Sequence, residues 1–562
     1  METNTLSDRL IQTTRDGLLQ ITWVTFLAVL IISCITTRVI TAIQSRETGR
    51  DKLQRARLAP YWFPWIGHGF SLLWNQVSFF ESLRETMRES VFYICLRGQT
   101  LTTVVSPSMT ETIMSSQGAS SAPLLDQALK NAFGDSGLMR NLLANRNQEI
   151  TDDVPEIMNR ESFASDVSSG ITRLLQRNLP NFVTFCRSPV DQTYWERESQ
   201  MEVSEEDQKV GQVYLFSLVR EFVGQNISTL LMGETFVEAF PGILGDLWKF
   251  DNGFAFLFAG FPRWMPSPAV SAGYPARERL LHVMSIFYRA FTAWDDGIDP
   301  GIELRDLDDV SELVKERMRT FRKLEMSPFA SAAGNLSFYW DVIEHSTKLT
   351  FWTLIHIITD RELLKEIRKE ISPFVKSSRP ARQAGFPFEE PLKLSLDVEE
   401  LLQSCTLLKA CYYEATRLHC AGISFRKLGS DLKVTESVTD AAQPRTYKFL
   451  KGEKVIMPHG VHYNDAQTFS NPDQFDPLRF IVMDAGTKQA NPAPLGSFAD
   501  GLYGSKHNKL TERIIIAFTA SIVSMWDISS TDDQGFAVPE NKTTWGAFQP
   551  VSDLRVKIKS AV

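Results

Sequence analysis

Phe498–Glu512 reads FADGLYGSKHNKLTE. An aromatic residue, Phe498, opens the stretch, Gly501 follows three positions on, and Ser505 stands seven positions after Phe498. Glycine allows the sharp turn that such a loop needs. Behind the loop, LTERIIIAF begins an apolar run expected to form a helix from Thr511 to Trp526. Both flanks are therefore well marked. The centre between them is polar, with Ser505, Lys506, His507 and Asn508 in sequence and no cysteine.

The rest of the chain sets that loop in a large globular context. It has 562 residues, 43% hydrophobic and 22% charged, with a formal net charge of −8. That is ordinary globular composition with enough length for a large core. No basic excess points to nucleic acid, which is excluded as a partner. The six cysteines (Cys34, Cys95, Cys186, Cys405, Cys411 and Cys420) make no CxxC pair and no zinc-like spacing. They are expected to be buried thiols rather than a disulfide framework.

Near the N-terminus no charge occurs from Gly17 to Thr37. As a helix this stretch is about 30 Å long, one bilayer core. Arg38, Arg46, Arg50, Lys52, Arg55 and Arg57 follow it, against Glu47 and Asp51. Arg9 and Arg15 precede it, offset by Glu2, Asp8 and Asp16. The positive-inside rule then places the bulk of the protein in the cytosol. A cleaved signal peptide is the rival reading, but its n-region is too acidic and no Ala-x-Ala site follows. The expected organisation is a short tail over 1–16, a transmembrane anchor over 17–37, a basic, proline-rich hinge over 38–66, and one large domain over 67–562. In the hinge, Pro60 and Pro64 deny the chain a helix, and Tyr61, Trp62, Phe63 and Trp65 suit a membrane interface.

Residues 100 to 330 are mostly helical in pattern, with charged breaks near Arg197–Lys209 and Asp295–Asp309. A proline- and glycine-rich loop runs from Pro373 to Pro391. After one more helix the chain turns β-like, in SFRKLGSDLKV and YKFLKGEKVIMP. A helix-rich body, a small late β-rich part and one final helix make a mainly α, α+β arrangement.

Four segments carry chemistry. YYEATRL places Glu414 and Arg417 three apart, on one helix face. NPDQFDPLRF follows, with Arg479 before Phe480. KGEKVIMPHGVHYNDAQTF lies between them and holds His459 and His462, for which surface or backbone-bonded roles are simpler than metal ligation. The fourth segment is the loop quoted above. Together these resemble the cytochrome P450 family, whose haem loop reads Phe-x-x-Gly-x-x-x-Cys and whose ExxR pair joins an arginine of an FxPxRF segment. The resemblance covers about residues 58 to 560. It implies the cytochrome P450-like fold, with a small β-rich part and one N-terminal transmembrane helix. It also implies a buried structural cluster of Glu414, Arg417 and Arg479. Two guanidinium groups bracket one carboxylate there, and each charge is costly if left unpaired.

The resemblance extends to a central helix, SFYWDVIEHSTKLTFWTLIHIITDRELLKEIRKEI. Its TFW and ITDRELLKEIRKEI parts are similar to relatives of the sterol 7-hydroxylases and prostacyclin synthase and to many fungal biosynthetic enzymes. That register implies His345 at the family's acid position and Ser346 at its alcohol position, the two candidate catalytic residues. A plain helix-face role for both is equally open. In the haem loop, Phe498 and Gly501 imply cofactor contacts, and Ser505 falls at the position of the axial, metal-binding cysteine. A thiolate pushes electron density onto iron and favours O–O cleavage; a serine hydroxyl is neutral near pH 7 and a far weaker ligand. His507 as a ligand and a splicing error that replaced a short central peptide are the other readings.

The implied function is oxidation or rearrangement of a lipophilic small molecule (steroid, terpenoid or polyketide) in biosynthesis, with haem and with electrons from NADPH through a cytochrome P450 reductase. The expected location is the endoplasmic reticulum membrane, single-pass, with the catalytic domain cytosolic. Two alternatives follow from Ser505: a pseudoenzyme that binds a hydrophobic ligand or a partner enzyme, and a non-oxidative isomerase or dehydratase.

Overall fold

The computed structural model describes residues 3–45, 56–116, 118–135, 161–380, 391–420, 422–437, 444–484, 486–498, 508–531, 535–542 and 544–562. Gly501 and Ser505 lie outside them, as do the side chain of Phe498, most of the 373–391 loop and several hinge arginines. The chain divides into two compact units, residues 1–120 with 425–461, and residues 121–424 with 462–562.

The first unit opens with a 42-residue helix, α1, Thr3–Gln44. Its stretch Trp23–Gln44 is long and apolar enough to cross a membrane by length and composition. Trp23, Val24, Phe26, Val29 and Ile32 are exposed along it, as a lipid-facing helix requires and a core helix does not. The Tyr61 backbone N–H donates to Thr41 Oγ1 at 3.2 Å, and Arg38 lies 5.4 Å from the Trp62 ring, so the end of α1 packs on the proline-rich segment. Beyond it, Arg57–Leu58, Val91–Leu96, Gln99–Val104, Lys454–Pro458 and Ile423–Lys427 form a five-stranded sheet in that order. Of the late β-like segments, Lys454–Pro458 pairs with Gln99–Val104 from the start of the chain, which local sequence pattern does not reveal, while Leu432–Thr435 and Thr446–Phe449 pair with each other.

The second unit is helical. We label Leu215–Met232 as α2, Ile243–Phe258 as α3, Pro268–Asp295 as α4, Pro328–Thr359 as α5, Arg361–Ile371 as α6, Thr406–His419 as α7 and Asn508–Met525 as α8. A small sheet of Trp526–Ser530, Arg555–Ser560, Gly211–Tyr214 and Glu202–Val203 belongs to the same unit. At the centre of the unit's apolar core runs α5, buried almost throughout its 32 residues. Ser327 starts it by accepting the Ala330 N–H, with Pro328 in the first turn, a favourable helix start.

The segment expected as one helix through Ile371 is two. Asp360 leaves helical geometry (φ −103°, ψ 107°), and its carboxylate accepts the N–H groups of Glu362 and Leu363, capping α6. A side chain that satisfies orphan N–H groups favours a break over continuation. Glu370, at the far end of α6, caps α7 in turn, taking the N–H groups of Leu407 and Leu408 at 2.8 and 2.9 Å. The final helix runs three residues earlier than expected, and Trp526 opens a strand instead of closing the helix.

Among the cysteines, Cys95, Cys405, Cys411 and Cys420 are buried free thiols, whereas Cys34 and Cys186 are partly exposed. His459 and His462 are both buried rather than on the surface. No group of three or more His, Cys, Asp or Glu side chains among the described residues could hold a metal ion.

Candidate functional site

Helix α7 brings Glu414 and Arg417 together one turn apart, both fully buried. Arg417 Nε and Nη2 donate to the two Glu414 oxygens at 2.7 and 2.8 Å. The remaining Arg417 donors go to the carbonyls of Tyr463, Pro472 and Gln474. Arg479 completes the group from a 3₁₀ turn, Pro477–Phe480, with Nε 3.3 Å from Glu414 Oε1. Its other nitrogens donate to Ser470 Oγ and the Asn471 carbonyl. Phe469 lies 5.0 Å under the Arg417 guanidinium. The Asp476 N–H donates to Glu414 as well. Two cations, one carboxylate and several backbone dipoles therefore close on one another, and the loop 463–479 is fastened to α7.

A second polar group sits on α5. Between residues 330 and 355 every residue is buried except Asp341 and His345. These two lie one turn apart on a common face. They are half-buried where the rest of this stretch is buried. Glu344 and Lys348 belong to the same face. Lys348 Nζ is 2.6 Å from Glu344 Oε1 and 2.9 Å from Asp251 Oδ2 of α3, with all three side chains almost wholly buried. Asp251 also accepts from Trp340 Nε1 at 3.0 Å and from Gln549 Nε2 at 2.9 Å. Trp340 is stacked on Phe254 at 4.1 Å.

Burial sets the protonation here. It pushes Asp341 up to about 7. It pushes Glu344 up to about 8, with the Lys348 ammonium opposing the rise. Lys348 is held above its ordinary value because its two carboxylates outweigh burial. His345 is driven down to about 4 by burial and by the nearby ammonium, so its imidazole is neutral at pH 7.

Ser346 is rotated by about 100° from His345 along the helix and leaves this face. It is wholly buried, and its Oγ has no hydrogen-bond partner among the described residues. The structure thus gathers Asp341, Glu344, His345 and Lys348, but not Ser346. Asp251, Asp341, Lys348 and Gln549 are the polar residues that motif reading missed. The spacing of Asp341, Glu344 and Lys348 on an apolar helix was a readable signal. Asp251 and Gln549 join from 90 residues before and 200 after, where no local pattern reaches.

A third cluster closes the other end of α5. His356 and His419 face each other with Nε2 atoms 2.7 Å apart. Trp352 stacks on His419 at 3.7 Å and Phe475 on His356 at 4.1 Å. Burial holds His356 down at about 3 and His419 well below the ordinary imidazole value. A groove of about 480 Å³ lined by Arg187, Gln192, Arg197 and Glu202 holds none of the expected site residues.

With this geometry in view, comparison with known proteins is specific. The Cytochrome P450 family model matches residues 313–498. The chain is 24% identical over 308 residues to cytochrome P450 monooxygenase poxD of Penicillium oxalicum, covering 54% of this chain and 56% of that protein. It is 27% identical to cytochrome P450 monooxygenase fsoE of Humicola fuscoatra, covering 50% of this chain and 43% of that protein. It is 24% identical to the 25-hydroxycholesterol 7-alpha-hydroxylase of Rattus norvegicus, covering 44% of this chain and 59% of that protein. The matches span about half the length of these relatives. The match contains α5, α6, α7 and all three members of the Glu414–Arg417–Arg479 cluster, and together these matches support a divergent member of the cytochrome P450 family.

Proposed function

We propose that this protein acts on a lipophilic small molecule of steroid, terpenoid or polyketide type, by haem-dependent oxidation or rearrangement within a biosynthetic route. The observation that carries this reading is the accessible face of α5 at Asp341 and His345, inside a body held together by the Glu414–Arg417–Arg479 cluster. The relatives' names support monooxygenase chemistry, and one of them, the rat 25-hydroxycholesterol 7-alpha-hydroxylase, supports the steroid part of the substrate class. Haem is the cofactor that the family implies. The scaffold residues fit a haem-bearing body of that family. The axial position does not fit a haem-thiolate, because Ser505 offers a hydroxyl where the family offers a thiolate. None of the six cysteines stands in the 498–512 stretch to replace it.

The apolar stretch of α1 supports a single-pass anchor, in the endoplasmic reticulum membrane with the body in the cytosol. A membrane-bound reductase supplied with NADPH is the electron source that ordinary oxygenation would need.

Ser505 favours a second reading, a pseudoenzyme that keeps the fold and the hydrophobic ligand and drops redox turnover. Non-oxidative isomerisation or dehydration with haem is the third. The reduced, CO-bound spectrum of protein purified from haem-replete cells separates them. A haem band without thiolate character supports haem chemistry of a kind other than ordinary oxygenation. A thiolate-type band means that the transcript encodes a cysteine in this loop, and sequencing codons 498–512 checks that directly. Absence of any haem band overturns the haem-dependent reading in favour of the pseudoenzyme.

A further inference from the structure

Five large aromatic side chains stand exposed in residues 62–74, close to the foot of α1: Trp62, Phe63, Trp65, Phe70 and Trp74. Single exposed apolar residues are ordinary on a protein surface, whereas a contiguous group marks an interaction site. Here the Phe63 and Phe70 rings meet edge to face at 5.1 Å. Phe70 and Trp74 stand four apart on one helix face. The helix that carries them, Gly69–Trp74, has no buried residue, and Trp74 is 89% exposed. A helix this short is marginal in water without an apolar surface to pack on, and the described residues do not supply one. Trp65 is held outward against its own backbone preference. Its φ is +62°, a region that a bulky residue rarely enters. The turn 63–67 is pinned in place: the Gly67 N–H donates to the Phe63 carbonyl at 2.9 Å and the His68 N–H to the Cys95 carbonyl at 2.8 Å. A Cβ on Gly67 would stand 2.1 Å from the Cys95 oxygen, so only glycine lets the turn come this close to the strand Val91–Leu96.

What covers this patch follows from α1. Charge is absent from Gly17 to Thr37, so Arg38 is the first charged residue past the apolar run and marks the edge of the hydrocarbon. Arg38 donates to the Pro60 carbonyl, and its guanidinium lies 5.4 Å from the Trp62 ring. Thr41, almost one turn on, is buried and takes the Tyr61 N–H. The chain thus returns to the boundary and lays the aromatic segment beside it, where tryptophan rings straddle headgroup and acyl chain. We propose that the turn 63–67 and the helix Gly69–Trp74 are a second membrane contact, a foot that seats Trp65, Phe70 and Trp74 in the lipid interface at the level of Arg38. This rests on the anchor reading above and adds a point of attachment made by the body of the first unit itself. A lone helix in a fluid bilayer is free to turn about its own axis; the foot removes that freedom.

The test uses the full chain in phosphatidylcholine nanodiscs, with part of the lipid carrying a photoactivatable diazirine in the upper half of one acyl chain. After illumination and trypsin digestion, mass spectrometry reads which segments have taken up lipid. Residues 16–38, which hold the charge-free run of α1, and residues 58–84, which hold the foot, fall in separate tryptic peptides. Label is expected in both, and within 58–84 on Trp65, Phe70 or Trp74. In the triple variant Trp65→Ser/Phe70→Ser/Trp74→Ser, label in 58–84 should fall about fivefold or more while label in 16–38 is unchanged, since the apolar side chains that enter lipid are gone. All three residues are exposed, and an unaltered urea midpoint checks that the variant folds. The foot is overturned if label in the parent chain is confined to 16–38, which leaves the patch to a protein partner, or if label in 58–84 persists in the folded variant. Absence of label from 16–38 overturns the anchor reading itself, an outcome distinct from loss of the foot alone.

Discussion

Two buried ion clusters stand in one unit and are built on opposite plans. At Glu414–Arg417–Arg479, two cations share one carboxylate, and the surplus N–H groups run to backbone carbonyls and a serine hydroxyl. At Asp251–Lys348–Glu344, two carboxylates share one cation, and the added partners are side chains, Trp340 and Gln549. Backbone carbonyls cannot change charge or leave, so the first cluster serves to fasten a loop, with Arg479 Nε 3.3 Å from Glu414 Oε1 as an ion pair that makes no hydrogen bond among the described residues. The second keeps a carboxyl, Glu344, that burial pushes up to about 8.

The hardest way to break the comparison is to remove Arg417. Arg417→Ala leaves Glu414 buried opposite Arg479 alone and frees the carbonyls of Tyr463 and Pro472. A loss of about 5 kcal/mol or outright failure to fold is expected, measured by urea unfolding. Arg417→Lys should rescue little, because an ammonium cannot reproduce the bidentate contact. Lys348→Met should cost about 3 kcal/mol by stranding Asp251, while Asp251→Asn/Lys348→Met recovers most of it. Equal losses for the single and double variants would show that the second cluster is held as tightly as the first.

Acid sharpens the contrast at the histidine pair. The folded value of His356 lies near 3 and the unfolded one near 6.5. Between those values the unfolded chain binds the extra proton, so stability falls as pH drops through this window. Roughly 2 kcal/mol should be lost between pH 6.5 and 5 from this group alone. A His356→Asn variant should show a flatter urea-midpoint profile over the same range. The smallest effect belongs to Gly546→Ala, about 1 kcal/mol from its positive φ, with a further shift if Glu344 Oε2 is displaced.

The sequence was a good guide wherever a signal is local. Glu414 and Arg417 sit three apart on one helix, and the spacing alone puts them on a common face. The apolar run before Arg38 needs only length and composition to be seen. Arg479 is what the resemblance to the family's FxPxRF segment implies, and the structure places it beside Glu414. Reading failed where long-range packing or a single cap decides. Asp360 looks like one more polar helix residue until its carboxylate is seen to cap the next helix. His345 and Ser346 are neighbours in sequence but a third of a turn apart in space, so a motif register could not place both on the working face. Asp251 and Gln549 reach Lys348 only through the folded topology. Phe498, Gly501 and Ser505 rest on the family pattern, since the loop lies outside the described residues.

The ring pair at the end of α5 has a polarity. Asn541 Nδ2 donates to the Leu418 carbonyl, which fixes the orientation of its amide and turns Oδ1 toward His419 Nδ1, 2.6 Å away. The hydrogen of His419 is therefore assigned to Nδ1, its Nε2 is a bare lone pair, and the hydrogen between the rings belongs to His356. Three distant stretches of chain are thereby strung on one tautomeric line that runs from His356 through His419 to Asn541. Reversing it would require the Asn541 amide to flip away from Leu418 and both imidazoles to exchange their hydrogens together.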